Sequence, residues 1–224
     1  MSRYQISINQ MADFQKSSYA KKKSIIRQQK TPNPFKISYY QLAKARMKKS
    51  FERNGDLNPI LLGIDELKKR TLTKPRQIND RKVSLEAMRR FISMQLPSIL
   101  SNSEYEVIKK PSVKSVVLNG VEIIISPDVI IRMKIDGKLY LGGVKIHIAK
   151  SNVFDYNQQK SVAGGIYKYL KDVVAQKDEV VDSKLCLSVD VFGRGVVAAP
   201  KNTKSVIREI GLICDEIKEI WHRI

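Results

Sequence analysis

Cysteine is almost missing from this chain of 224 residues, which holds only Cys186 and Cys214. Two isolated cysteines make neither a disulfide framework nor a zinc knuckle, so a reducing, cytoplasmic setting is expected. No apolar run approaches the roughly 18 to 20 residues of a membrane helix. The N-terminal "MSRYQISINQ" lacks the basic-then-apolar layout of a signal peptide. Histidine is limited to His147 and His222. Without closely spaced Cys/His pairs, a structural zinc is not expected. "GGVK" and "AGG" do not have the spacing of a phosphate-binding loop, and no serine or cysteine stands in a nucleophile context. The chain has no internal repeat and no low-complexity tract.

Positive charge is abundant and unevenly spread. The formal net charge is +19, and 42% of residues are hydrophobic, enough for a real core. Residues 1–110 hold 24 Lys and Arg against 9 Asp and Glu; residues 111–224 hold 17 against 13. Such a field attracts polyanions and releases their counterions. Nucleic acid is therefore the expected partner, DNA ahead of RNA, together with other proteins of a nucleoprotein complex and without a membrane.

The first 82 residues read as a basic helical N-terminal region. "ISINQMADFQKSSYAKKKSIIRQQK" predicts a helix capped by Ser7 or Asn9, and "TPNPF" stops it through Pro32 and Pro34. "ISYYQLAKARMKKSFERNG" predicts a second helix with Gly55 at its C-terminus. Lys21, Lys22, Lys23, Arg27, Lys44, Arg46, Lys48 and Lys49 fall outside the apolar positions and are the candidate nucleic-acid contacts. A short helix is expected over "IDELKKR", and 71–82 reads as a connector.

Residues 83–224 read as an α/β core. A helix over "SLEAMRRFISMQL" comes first, and then the period changes from 3.6 to 2. Five strands follow, with Asn119-Gly120 and Asp136-Gly137 as hairpin turns. A long helix after Asn152, two strands around "VFGRG" and a final helix with an isoleucine stripe complete the order. The architecture expected is a mixed β-sheet flanked by helices.

Within this core, Asp128 and Lys145 sit inside apolar strand patterns. Pairing outward from the Asp136-Gly137 turn sets residues 128–130 against roughly 143–145, so the two charges face each other across the hairpin. An acid beside a lysine suits phosphodiester chemistry: the carboxylate holds a metal, and the lysine orients water or stabilises developing charge. A plain cross-strand ion pair is the alternative. Lys145 and His147 share a face, and His147 is a candidate for proton or metal binding or for a structural hydrogen bond. Asp190, in a later strand, reads as a structural cap or pair.

"NGVEIIISPDVIIRMKIDGKLYLGGVKIHIAKS" resembles the motif region of the PD-(D/E)xK nuclease superfamily, in its RecB-type branch. Pro127-Asp128 matches the "PD" and Lys145 the "K". The resemblance implies a restriction-endonuclease-like core, nuclease activity and Mg2+ or Mn2+ bound at Asp128. Glu86 stands in the helix that supplies a further acid in the family. "SINQMADF", from Ser7 to Phe14, is similar to a helical segment of some members. That branch carries a glutamine and a tyrosine one helical turn apart in the following helix; here Gln159 and Tyr167 are eight apart, two turns distant, and a solvated helix residue is the alternative for Gln159. One departure matters: the middle acid of the motif falls on Gly143. Glu122 and Glu86 are the candidate replacements. Two readings follow: a nucleic-acid-binding protein with a catalytically degenerate nuclease-like fold, or an active divalent-metal-dependent nuclease with a relocated second acid.

Overall fold

The computed structural model describes residues 4–32 and 39–224. Eight strands form two sheets among these residues. β1 (Gln5–Ser7), β4 (Val121–Ile124) and β3 (Ser115–Leu118) make the smaller one, in the order β1-β4-β3. The larger has the order β2-β5-β6-β7-β8, with β2 (Glu106–Val107), β5 (Val129–Ile135), β6 (Lys138–His147), β7 (Glu179–Asp190) and β8 (Gly195–Ala198). Both sheets are mixed. β1 runs parallel to β4 and β6 parallel to β7, while the other neighbours are antiparallel. The expected α/β class with mixed sheet and flanking helices is the observed one.

Period-two alternation sorts the large sheet into two cores. Ile130 and Cys186 face α1 (Ile8–Lys16), α2 (Tyr19–Lys30), α7 (Tyr156–Tyr169) and α8 (Thr203–His222). Their strand neighbours Val129, Ile131, Val144 and Leu187 face α3 (Gln41–Phe51), α4 (Asn58–Lys69) and α5 (Pro75–Ile92). A four-residue helix, α6 (Ile99–Asn102), leads into β2, and α7 ends in a π-helical turn, Leu170–Val174. No helix among the described residues is long and apolar enough to cross a membrane.

The hairpin turns form where the Asn-Gly and Asp-Gly pairs stand. Both residues of each turn have positive φ: 47° and 78° at Asn119-Gly120, 47° and 79° at Asp136-Gly137. Glycine tolerates that region without steric cost, and such turns match strand twist.

Several boundaries differ from the sequence reading. The first helix is two, because Ser17 takes an extended conformation and Ser18 caps α2. Serine hydroxyls compete with the helical backbone; that of Ser17 bonds back to the Asp13 carbonyl. Ser7 is the cap of α1, and the residues before it form β1. Pro34, expected to stop this segment, lies outside the described residues. α4 begins at Asn58 rather than after "ILLG", since proline is tolerated in a first helical turn. The connector expected over 71–82 is largely helical: α5 starts at Pro75. Its first turns are exposed all round, so no apolar period marks them. The division at residues 82 and 83 consequently falls inside a helix. The N-terminal region is no separate unit, because β1 belongs to a sheet and α1 and α2 share a core with α7 and α8.

Candidate functional site

The site is built on the link from β4 to β5. Lys114 accepts the N–H groups of both Ile125 and Ser126, at 2.9 and 3.0 Å. Ser126 then adopts φ 37°, a left-handed conformation unusual for serine. Beyond it the chain passes through Pro127 to Asp128. The carbonyls of Ile125 and Ser126 both accept from Lys145 Nζ at 2.8 Å. Strained backbone of this kind is commonest at functional sites.

Asp128 is stitched to β6 by two hydrogen bonds. Its N–H donates to Val144 at 2.7 Å, and its Oδ2 accepts the N–H of Ile146 at 2.8 Å. Val129 pairs with Val144, so Asp128 and Lys145 are indeed opposed in register. Their side chains part company, however. Asp128 Oδ2 meets Lys44 Nζ at 3.1 Å and Oδ1 meets Lys48 Nζ at 3.5 Å, both from α3. A direct Asp128–Lys145 ion pair, the alternative reading of the hairpin, is replaced by these two contacts. A long lysine stem reaches across elements, which no strand register reveals.

Lys110 is the member that sequence reasoning missed. β2 pairs with β5 through Glu106–Arg132 and Val107–Ile131, and continuing that register sets Lys110 opposite Asp128. Four lysines thus surround one carboxylate: Lys145 from β6, Lys110 from the segment that follows β2, and Lys44 and Lys48 from α3. "EVIKKPS" does show two lysines before a proline, but nothing local says that this short strand lies beside β5.

The charges shape one another's titration. Burial raises the pKa of Asp128, yet Lys44, Lys145 and the Ile146 N–H outweigh it and hold the carboxyl below its usual range. Burial pushes Lys145 down, Asp128 pulls it back, and the neighbouring lysines leave it at about 8. Lys110 is lowered too, by burial and then by Lys48.

The other candidates are engaged elsewhere. Glu86 lies on α5 and takes Lys150 at 2.7 Å and Arg90 at 3.0 Å. Glu122 accepts from Gln5 at 2.9 Å and Ser115 at 2.7 Å, tying together the small sheet. His147 stacks on Phe154 with ring centroids 3.6 Å apart, and its Nε2–H donates to the Asn152 carbonyl at 2.7 Å. Burial lowers its pKa despite that bond and Asp190. Asp190 is fully buried and accepts the N–H groups of Phe154 and Gly193, both at 2.7 Å. Gln159 is buried rather than solvated, with Nε2 donating to Phe154 and packed against Gly195.

Gly143 explains itself by packing. A Cβ there would stand 3.0 Å from Ile166 Cγ2 and 3.4 Å from Leu170 Cδ1, between β6 and α7. An acid at this position would enter an apolar contact, not the cluster at Asp128. The donor set therefore does not suit the divalent cation that the resemblance implies. Its one carboxylate already has an N–H and two ammonium groups, and no group of three or more His, Cys, Asp or Glu among the described residues could hold a metal.

The eight basic residues of the N-terminal region do not share one outward face. Lys21, Lys22, Lys23 and Arg27 lie on α2, which packs on α8; Lys22 pairs with Glu216 at 2.7 Å, and Lys23 lies over the Tyr19 ring. On α3, Lys44 and Lys48 turn to Asp128, while Arg46 pairs with Glu66 and Lys49 with Glu52. Lys21 and Arg27 remain exposed. No family model matches the chain, and no curated protein matches its sequence.

Proposed function

We infer that the chain binds nucleic acid on a nuclease-like α/β core, and that lysines have taken the ground a catalytic metal would need. The observation that carries this reading is the gathering of Lys44, Lys48, Lys110 and Lys145 around the single carboxylate of Asp128. Like charges so close together repel, and a phosphate of a polyanion relieves that repulsion. The chain's net charge of +19 supplies the wider attraction. The order α5, strands through β6, α7 and β7 parallel to β6 agrees with the order that the resemblance implies, in support of a restriction-endonuclease-like core.

The test joins binding to cleavage. Anisotropy titrations with single- and double-stranded DNA and with RNA across a salt series are expected to show salt-sensitive binding. Lys44→Gln and Lys48→Gln should each weaken it and reduce the salt slope by about 1 per lost phosphate contact. The same change at Lys21 and Lys23 separates a general charge effect from this site. Incubation with plasmid and single strands plus Mg2+ or Mn2+ is expected to leave both intact. Cleavage that disappears in Asp128→Ala and Lys145→Ala would instead make the chain a nuclease.

A further inference from the structure

A second feature lies away from Asp128, where α7 ends. α7 runs back over the sheet, so Tyr167 reaches the same surface as Tyr140 near the start of β6. An open groove of about 500 Å³ forms there between the π-helical turn, α8 and the β3–β4 hairpin. One wall is a stripe of α8: Lys204, Arg208 and Leu212 follow one another at intervals of four and share a helix face. Lys171 of the π-helical turn stands on the other wall, and Leu118 and Ile207 form the floor.

Two properties of this groove have no use inside the fold. Leu212 is 64% exposed, although α8 already buries Val206, Ile210, Cys214, Ile217 and Trp221 on its core side. Lys171, Lys204 and Arg208 make no ion pair among the described residues, whereas neighbouring Lys168 is neutralised by Asp172 at 2.6 Å. An aliphatic floor with an unneutralised cationic rim calls for a ligand that is apolar and anionic at once. The π-helical turn along the wall is a rare local geometry, frequent at functional sites.

We propose that this groove docks an acidic amphipathic segment of a partner protein, its aliphatic side chains on Leu118, Ile207 and Leu212 and its carboxylates on Lys171, Lys204 and Arg208. Nucleic acid would satisfy the cations and find one stacking face in Tyr167, but it would leave Leu118, Ile207 and Leu212 without a complement. The docking is independent of the lysines around Asp128.

The probe is a labelled helical peptide with Leu at i, i+3, i+4 and i+7 and Glu elsewhere, titrated against the full chain. Binding is expected, weakening as salt rises, and falling about tenfold or more for Leu212→Glu and for Lys204→Glu/Arg208→Glu. Lys44→Gln should leave it unchanged. A control peptide with Gln for Glu should bind more weakly. Absence of peptide binding, or binding indifferent to the groove substitutions, overturns the proposal. Loss of oligonucleotide rather than peptide binding in the groove variants assigns the surface to nucleic acid and overturns it equally.

Discussion

Lys145 couples this fold to pH. In the unfolded chain its ammonium titrates near 10.5; in the folded chain it does so at about 8. Between those values the unfolded state holds a proton that the folded state has released, so stability rises with pH across that window. Below about 8 both states are charged and the slope vanishes. The gain is about 3 kcal/mol over the full window, and Lys110, lowered for related reasons, adds in the same direction. Asp128 acts at the acid end: its depressed pKa contributes stability above the ordinary carboxylate value that is lost as pH falls below it. Urea midpoints from pH 7.5 to 10.5, compared between the chain and Lys145→Met, should shift in favour of the unsubstituted chain as pH rises. A constant offset between the two would contradict the placement of Lys145. At this scale the opposition of Asp128 and Lys145 was legible, because a two-residue turn sets the register of everything beyond it. Where the ends of four lysines converge was not.

Elements decide what Gly143 means. In sequence it is the acid missing from a nuclease motif; in the fold it is where β6 packs against Ile166 of α7. Gly143→Glu should therefore not restore a metal site. Both the added bulk against Ile166 and the buried carboxylate are unfavourable, and a loss of roughly 3 kcal/mol or more is expected in denaturant unfolding. Mg2+ should not recover it. A stable variant whose melting temperature rises with Mg2+ would mean that the side chain reaches Asp128 after all, and the nuclease reading would return. α5 makes the same point from the other side. Its buried half, around Ala87, Met88 and Phe91, was legible by period, but its exposed first turns, from Pro75, were not. Periodicity reports burial, and a turn that buries nothing leaves no trace.

For the whole molecule, the question is whether the basic N-terminal region stands apart. Ile6, Ile8, Met11, Phe14, Ile25 and Ile26 are all at most 3% exposed, in one core with α7 and α8. On the opposite face of the sheet, Met47, Phe51 and Ile60 fill the second core. A chain cut to residues 83–224 loses both sets and begins inside α5. It should show no cooperative unfolding transition by circular dichroism, while the full chain does. A cooperative melt of the fragment would show that the division read from charge is a structural one.

By itself the sequence determined the α/β class, the two hairpins with their Asn-Gly and Asp-Gly turns, and the register that opposes Asp128 to Lys145. These follow from local rules: period, turn chemistry and pairing outward from a turn. Tertiary structure alone decided that Lys44 and Lys48 descend from α3 onto Asp128, that Lys110 arrives from the segment after β2, and that Gly143 faces α7. Those placements depend on which surfaces of distant elements bury one another, and burial between distant elements has no period to read.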